Sequence, residues 1–195
     1  MKQIVQPIKD SNVLEQVQET LLDSFKWGRR NYTVFQLGKA TLLRVSDVLS
    51  LKYDDVYDDN GQVRSNAYIH DKKTGKANIL YLKPVADDLK KYLEWLKDNK
   101  IESEWLFPSS KHYELHISER QFYKVMWKVG QLLNINYLGT HTMRKTGAYR
   151  VYVQSNYNIG FVMDLLNHSS QAMTLKYLGI DRESKEHLLD SINFG

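Results

Sequence analysis

Apolar residues recur every fourth position from Val13 through Val17 and Leu21 to Phe25, with Glu15, Glu19 and Asp23 on the polar side, so an amphipathic helix is expected over residues 11–27. The next stretch, 31–53, is denser in apolar positions (Val34, Phe35, Leu37, Leu42, Leu43, Val45, Val48, Leu49), which predicts two successive helices largely buried in a core. The period then changes. After the acidic, turn-rich DDVYDDNG, Val63, Ala67 and Ile69 fall on one face of an extended segment, and Ile79 and Tyr81 do the same after DKKTGK, the pattern of a β-hairpin. Pro84 stands where a helix start tolerates its missing N–H, and Val85, Leu89, Leu93 and Leu96 form the stripe that follows. A loop containing WLFPSS comes next.

Helix-start signals divide the C-terminal half. Ser118 and Gln121 have capping-box spacing ahead of Phe122, Val125, Met126, Val129 and Leu133. Thr140 is placed to cap a helix from His141 to about Val153, Asn158 one over 159–166, and Ser170 a short one ended by Gly179; a last helix is expected from Asp181 to about Asp190. No repeat or Gly/Ser linker interrupts the chain. The expected fold is mainly α with a small antiparallel β-sheet (α+β), a single domain over residues 1–195 in which the sheet is an accessory.

Length and composition then narrow the chemistry. A chain of 195 residues buries about 70% of the surface its unfolded form exposes, so a real core is available. The absence of Cys removes disulfides, thiol nucleophiles and Cys-ligated metal sites. No apolar run reaches the ~18 residues of a membrane span and the first residues lack a signal peptide's apolar region, so the expected location is cytoplasmic. A net charge of +4 and a complement of 13 Tyr, 4 Trp and 6 Phe are compatible with a nucleic-acid partner without requiring one.

Three segments carry polar groups that folding alone does not explain. In TLLRVSDVLSL, Arg44 interrupts an apolar helix and Asp47 shares its face, a buried ion pair or an anion clamp with an orienting carboxylate. In THTMRKTGAYRVYV, His141 and Arg144 lie one turn apart at a helix start, a proton carrier beside a guanidinium where the helix dipole also favours an anion. In LLNHSSQAMTLKYLG, His168 lies in a turn and Tyr177 near the end of a short helix; a tyrosine is a poor nucleophile unless cationic donors stabilise its phenolate. His112 and His116 in KHYELH lack the Glu directly after the first His that a zinc peptidase needs, and the adjoining Pro108, Ser109 and Ser110 make them loop residues.

RVSD with Arg44 and Asp47, KKTGK with Lys73, HTMR with His141 and Arg144, NHSS with His168 and TLKYLG with Tyr177 occur in this order over residues 11–190. This arrangement resembles the catalytic domain of the tyrosine recombinases, or phage integrase family, whose members include enzymes of phages and mobile elements and whose fold is the DNA breaking-rejoining fold. The resemblance implies DNA integration or recombination by cleavage and rejoining, with no cofactor, metal or ATP. Tyr177 would attack the scissile phosphate to form a 3′-phosphotyrosyl intermediate, and Arg44 and Arg144 would hold the non-bridging oxygens with His168 assisting. Asp47 would orient Arg44 and His141 would accept the tyrosine proton. Lys73 would protonate the leaving 5′ oxygen, with Lys72 and Lys76 as neighbours able to take its place.

The implied partners are double-stranded DNA, further copies of the chain in a synaptic tetramer and accessory DNA-bending proteins; no membrane is implied. Departures from the family pattern are Leu42 where Gly is usual, Asn167 in place of the Gly of LGH, and Lys145 where a second His commonly follows H-x-x-R. The short lead before the first helix is read as a catalytic domain without a separate N-terminal core-binding domain, for which weak DNA binding with a shallow salt dependence is expected. Two rival readings are a non-cleaving DNA-binding or assembly module of the same fold and a type IB topoisomerase-like enzyme that relaxes DNA.

Overall fold

Asp10 starts the first helix: its carboxylate accepts the Val13 N–H at 2.9 Å, one of the donors a helix start leaves orphaned. The resulting α1, Ser11–Asp23, buries Leu14, Val17 and Leu21, while Val13 and Phe25 are only half-buried and the helix stops short of residue 27. The structure is a computed structural model that describes residues 5–70, 75, 77–180, 189–190 and 192–193. Lys73, its neighbours Lys72 and Lys76, and most of the expected last helix lie outside the described residues.

The stretch 31–53 resolves into more pieces than its apolar pattern predicts: α2 (Gly28–Thr41), α3 (Val45–Leu49) and α4 (Tyr53–Val56). The division falls at Leu42, whose backbone is left-handed at φ 55° and ends α2. Arg44 therefore does not sit inside a helix as expected; it is the extended N-cap residue of α3, at φ −68° and ψ 152°. In the hairpin, β1 (Asn66–His70) pairs antiparallel with β2 (Ala77–Tyr81), with Ala67 opposite Leu80 and Tyr68 opposite Ile79. Ala67 and Leu80 face the core, whereas Ile79 and Tyr81 are exposed with Tyr68. The expected inner face of the second strand is thus wrong by one residue, and in a pleated strand one residue is a change of side.

A 3₁₀ turn at Lys83–Val85 containing Pro84 leads into α5 (Ala86–Asp98), which buries Leu89, Tyr92, Leu93 and Leu96. The Ser118–Gln121 capping box opens α6 (Glu119–Leu133) as expected. Three further helices follow before residue 181: α7 (Thr142–Gln154), α8 (Ile159–Leu166) and α9 (Gln171–Tyr177). Asn158 and Ser170 cap α8 and α9 as anticipated. Thr140 does not cap α7; His141 takes the N-cap position without a side-chain bond, and Thr142 Oγ1 accepts the Gly139 N–H at 2.8 Å.

Most of the core is one cluster built from α1 to α6 and the hairpin, reaching Met143 at the start of α7. A second, small cluster of Leu42, Ala148, Val162, Leu166 and Leu178 lies under α8 and α9. α7 joins the two because it crosses α2 closely: a Cβ on Gly147 would lie 2.0 Å from the Lys39 carbonyl oxygen, and one on Gly38 2.4 Å from Met143 Sδ. The fold is mainly helical with a two-stranded antiparallel sheet as accessory. Among the described residues no helix is long and apolar enough to cross a membrane.

Candidate active site

The break between α2 and α3 and the end of α8 bring two arginines into one cleft. Arg44, a quarter exposed, has Nη1 4.0 Å from Oδ2 of the buried Asp47, a charge contact that balances part of the guanidinium's charge. Arg144 projects from the first turn of α7, is only 7% exposed, and donates from Nη2 to the Leu166 carbonyl at 3.2 Å, tying α7 to the end of α8. Both line a cleft of about 190 Å³ together with Thr41, Asn78, Asp164 and Asn167. Planar guanidiniums offering parallel N–H donors suit the non-bridging oxygens of a phosphate.

His168 follows the left-handed Asn167, and its Nδ1 lies 3.0 Å from Thr174 Oγ1. The single hydroxyl proton of Thr174 goes to the Ser170 carbonyl at 3.2 Å, so the contact with His168 is an Nδ1–H donating to Thr174. Neutral His168 consequently carries its lone pair on Nε2, and that nitrogen donates to an anion only after taking up a proton. The His168 ring meets the Tyr177 ring edge to face at 5.2 Å. On the Tyr177 ring, Lys145 Nζ lies 5.0 Å from the centroid. The Tyr177 hydroxyl is buried and makes no hydrogen bond among the described residues, an arrangement that costs about 1–3 kcal/mol for a polar group.

The electrostatics draw these parts together. Burial pushes the Tyr177 phenol above its ordinary value, while Arg144 and Arg44 pull it down. The pKa values of both histidines are held below the ordinary 6.5: partial burial and the charges of Arg144 and Arg44 act on His168, and the same causes with Lys145 added act on His141, opposed by Glu119. The two guanidiniums are therefore common electrostatic neighbours of His141, His168 and Tyr177. At neutral pH both imidazoles are uncharged.

His141, His168 and Tyr177 thus lie within electrostatic reach of Arg44 and Arg144, with Asp47 beside Arg44, while Lys73 lies outside the described residues. Ala77 and Asn78, at the start of β2, line the arginine cleft. Sequence reasoning treated Lys145 only as a departure and did not single out Thr174. The one sequence signal for Thr174 is its position three residues before Tyr177, on the same face of a short helix. His112 and His116 lie in the loop before α6, His112 beside Glu114 at 3.2 Å and His116 packed edge-on against Trp105.

The family model described as the phage integrase family matches residues 10–184, and the chain belongs to that family. It is 33% identical over 182 residues to the probable integrase/recombinase YoeC of Bacillus subtilis (strain 168), covering 93% of each chain. Its fold is similar to that of the XerH site-specific recombinase in a post-cleavage complex with palindromic difH substrate, with a TM-score of 0.69 at 20% identity over 97% of this chain and 53% of that one. It is likewise similar to the XerA recombinase, with a TM-score of 0.70 at 19% identity over 98% of this chain and 67% of that one. The chain spans about half the length of the XerH protein it matches. These likenesses agree with the tyrosine recombinase catalytic-domain fold expected from the sequence.

Proposed function

We propose that residues 1–195 form a catalytic domain that cuts and rejoins double-stranded DNA through a 3′-phosphotyrosyl intermediate, as a site-specific recombinase or integrase of the cytoplasm. The observation that carries this reading is the convergence of Arg44 and Arg144 in one cleft with His168 packed on Tyr177, whose buried hydroxyl has no hydrogen-bond partner among the described residues. Membership of the phage integrase family and the likeness to a DNA-bound recombinase support it.

In the proposed reaction Tyr177 Oη attacks phosphorus, the bond to the 5′ oxygen breaks, and the phosphate stays attached to the 3′ strand as a diester of tyrosine. The tyrosine proton passes to His141, neutral at physiological pH, and Lys73 gives a proton to the departing 5′ oxygen. Arg44 and Arg144 stabilise charge on the non-bridging oxygens, and His168 joins them once protonated by proximity to the phosphate. Attack by a 5′ hydroxyl of another strand reverses these steps, and because the diester bond is conserved in the intermediate, the chemistry needs no ATP. Synapsis would bring four copies onto two DNA sites.

Covalent trapping tests the proposal. Duplexes from the chain's genomic neighbourhood are prepared with a bridging sulfur on the 5′ side of each phosphate, so that the leaving thiolate religates poorly and the adduct accumulates. The expected result is a protein–DNA adduct that survives denaturing electrophoresis with the wild type and is absent with Tyr177→Phe, while both bind DNA alike. An equal adduct from Tyr177→Phe removes the nucleophile assignment. Binding without any adduct favours the non-cleaving module.

A further inference from the structure

The groups around Tyr177 extend beyond the cleft to a strap formed by the chain's first described residues. Gln6 N–H donates to the Tyr137 carbonyl at 3.2 Å, and Ile8, fully buried, donates its N–H to Thr146 Oγ1 on α7 at 3.0 Å. Lys9 Nζ donates to the Gly179 carbonyl, two residues past Tyr177, at 2.7 Å. Gly179 has φ +64°, and a Cβ there would lie 2.9 Å from Gln6 Oε1 and 3.3 Å from Pro7 Cδ. Glycine therefore serves both the left-handed end of α9 and the close passage of the strap.

Lys145 connects this strap to the tyrosine. Its Nζ donates to the Val5 carbonyl at 2.9 Å and lies 5.0 Å from the centroid of the Tyr177 ring. The ring is thus held by His168 at right angles to it and by a cation over its face, and the cation is fixed by the Val5 backbone carbonyl. An ammonium over an aromatic face is attracted by the ring quadrupole, and more strongly once the phenol loses its proton. Half-burial lowers the Lys145 pKa from its ordinary value, yet a lysine so shifted keeps its charge at neutral pH.

We propose that Lys145, anchored on the Val5 carbonyl, is a positioning residue that holds the Tyr177 ring and α9 in the attacking arrangement. The role rests on the reading of Tyr177 as nucleophile. Lys145 itself touches neither the phosphate nor the reacting oxygen in this scheme, so its removal acts on the rate of attack and leaves DNA affinity intact.

Single-turnover adduct formation on the thio-bridged duplex is measured at saturating DNA for wild type, Lys145→Met, Lys145→Ala and Lys145→Arg, with DNA affinity measured separately on an unmodified duplex. Met and Ala are expected to slow adduct formation about 10- to 100-fold, the range in which misplacing a reacting group acts. Arg, which also packs on aromatic faces, restores it to within about threefold, and Kd stays within about twofold throughout. A fall in affinity with an unchanged saturated rate makes Lys145 a DNA contact and overturns the proposal. So does equal loss in the Arg variant.

Backbone hydrogen exchange of the free protein decides independently of activity. Lys145→Met is expected to speed exchange at 171–180 at least about fivefold while α6 is unchanged. Unchanged exchange in α9, or faster exchange in both helices alike, overturns the positioning role. Tyr177→Phe adduct formation tests the nucleophile separately, so a failed nucleophile and a failed Lys145 give different results.

Discussion

The two hydrophobic clusters differ sharply in thickness. Among the described residues thirty buried side chains form the first and five the second. Arg44 and Asp47 begin and line α3, which packs in the thick cluster, whereas His168, in the turn between α8 and α9, and Tyr177, at the end of α9, lie over the thin one. Arg144 stands on α7, which contributes Met143 to one cluster and Ala148 to the other. The lesson is a division of work: an anion clamp gains from rigid supports, and an attacking group that must meet and later leave a phosphate gains from an element that moves at small cost. In the proposed reaction the clamp belongs to the rigid side and the nucleophile to the other.

The largest expected effect comes from truncating one side chain in each cluster. Leu89 and Leu178 are both fully buried. Leu89→Ala is expected to cost about 2–5 kcal/mol of global stability, because the thick core leaves a cavity it cannot close. Leu178→Ala is expected to cost about 2 kcal/mol, the low end for such a change, because a five-residue cluster collapses more readily around the gap. Its stronger signature is local: faster hydrogen exchange in α8 and α9 and slower adduct formation, while α5 stays protected. Equal denaturant midpoints and equal exchange patterns would break the comparison.

The histidines sharpen it through pH. Both pKa values are lowered in the fold, so each imidazole remains neutral below the ordinary 6.5. His141 as proton acceptor then gives a single-turnover rate that is flat from about pH 8 down to 6.5 and falls about tenfold per unit below the depressed pKa. His141→Gln is expected to lower the rate and flatten that acid limb, whereas His168→Gln lowers the rate and leaves the limb in place. Stability carries the same sign, since an unfolded histidine binds protons at higher pH than these folded ones. Folding therefore weakens as pH drops below 6.5, and melting midpoints taken at each pH separate this loss from the rate.

Much of this was legible in the sequence, for identifiable reasons. Capping chemistry is local, so Ser118, Asn158 and Ser170 announced their helices correctly, and the family pattern drew attention to Arg44, Arg144, His168 and Tyr177. What local pattern does not encode is tertiary pairing. The inner face of β2 depends on Ala67 meeting Leu80, and an alternation of Ile79 with Tyr81 reads equally well on either side. The break at Leu42 was hidden because a left-handed leucine runs against its intrinsic preference. Arg30 is buried like Arg144, donating at 2.6 Å to the Pro108 carbonyl and stacking over Trp27. Nothing in its neighbourhood of the chain distinguishes that bracing role from a clamp.

The smallest expected effect contrasts two positions with nearly the same backbone. Leu42 and Asn167, where the family pattern has Gly, are both left-handed with φ 55°. Leu42 is buried in the thin cluster, and Asn167 is exposed. Leu42→Gly relieves about 1–2 kcal/mol of backbone strain but forfeits the leucine packing, worth about 2–5 kcal/mol, so a net change between about zero and a loss of about 4 kcal/mol is expected. Asn167→Gly loses no buried surface. Asn already tolerates the left-handed region, so the relief is small and is offset in part by the freer unfolded chain that glycine allows. The net expectation is a gain of about 0.3 kcal/mol, a rise of about 1 °C in the melting midpoint, with adduct formation unchanged because the His168–Thr174 bond does not depend on the Asn167 side chain. A loss of stability at Asn167→Gly would mean that its carboxamide, which lines the arginine cleft, supports the clamp directly, and the thin side would then carry part of the anion site.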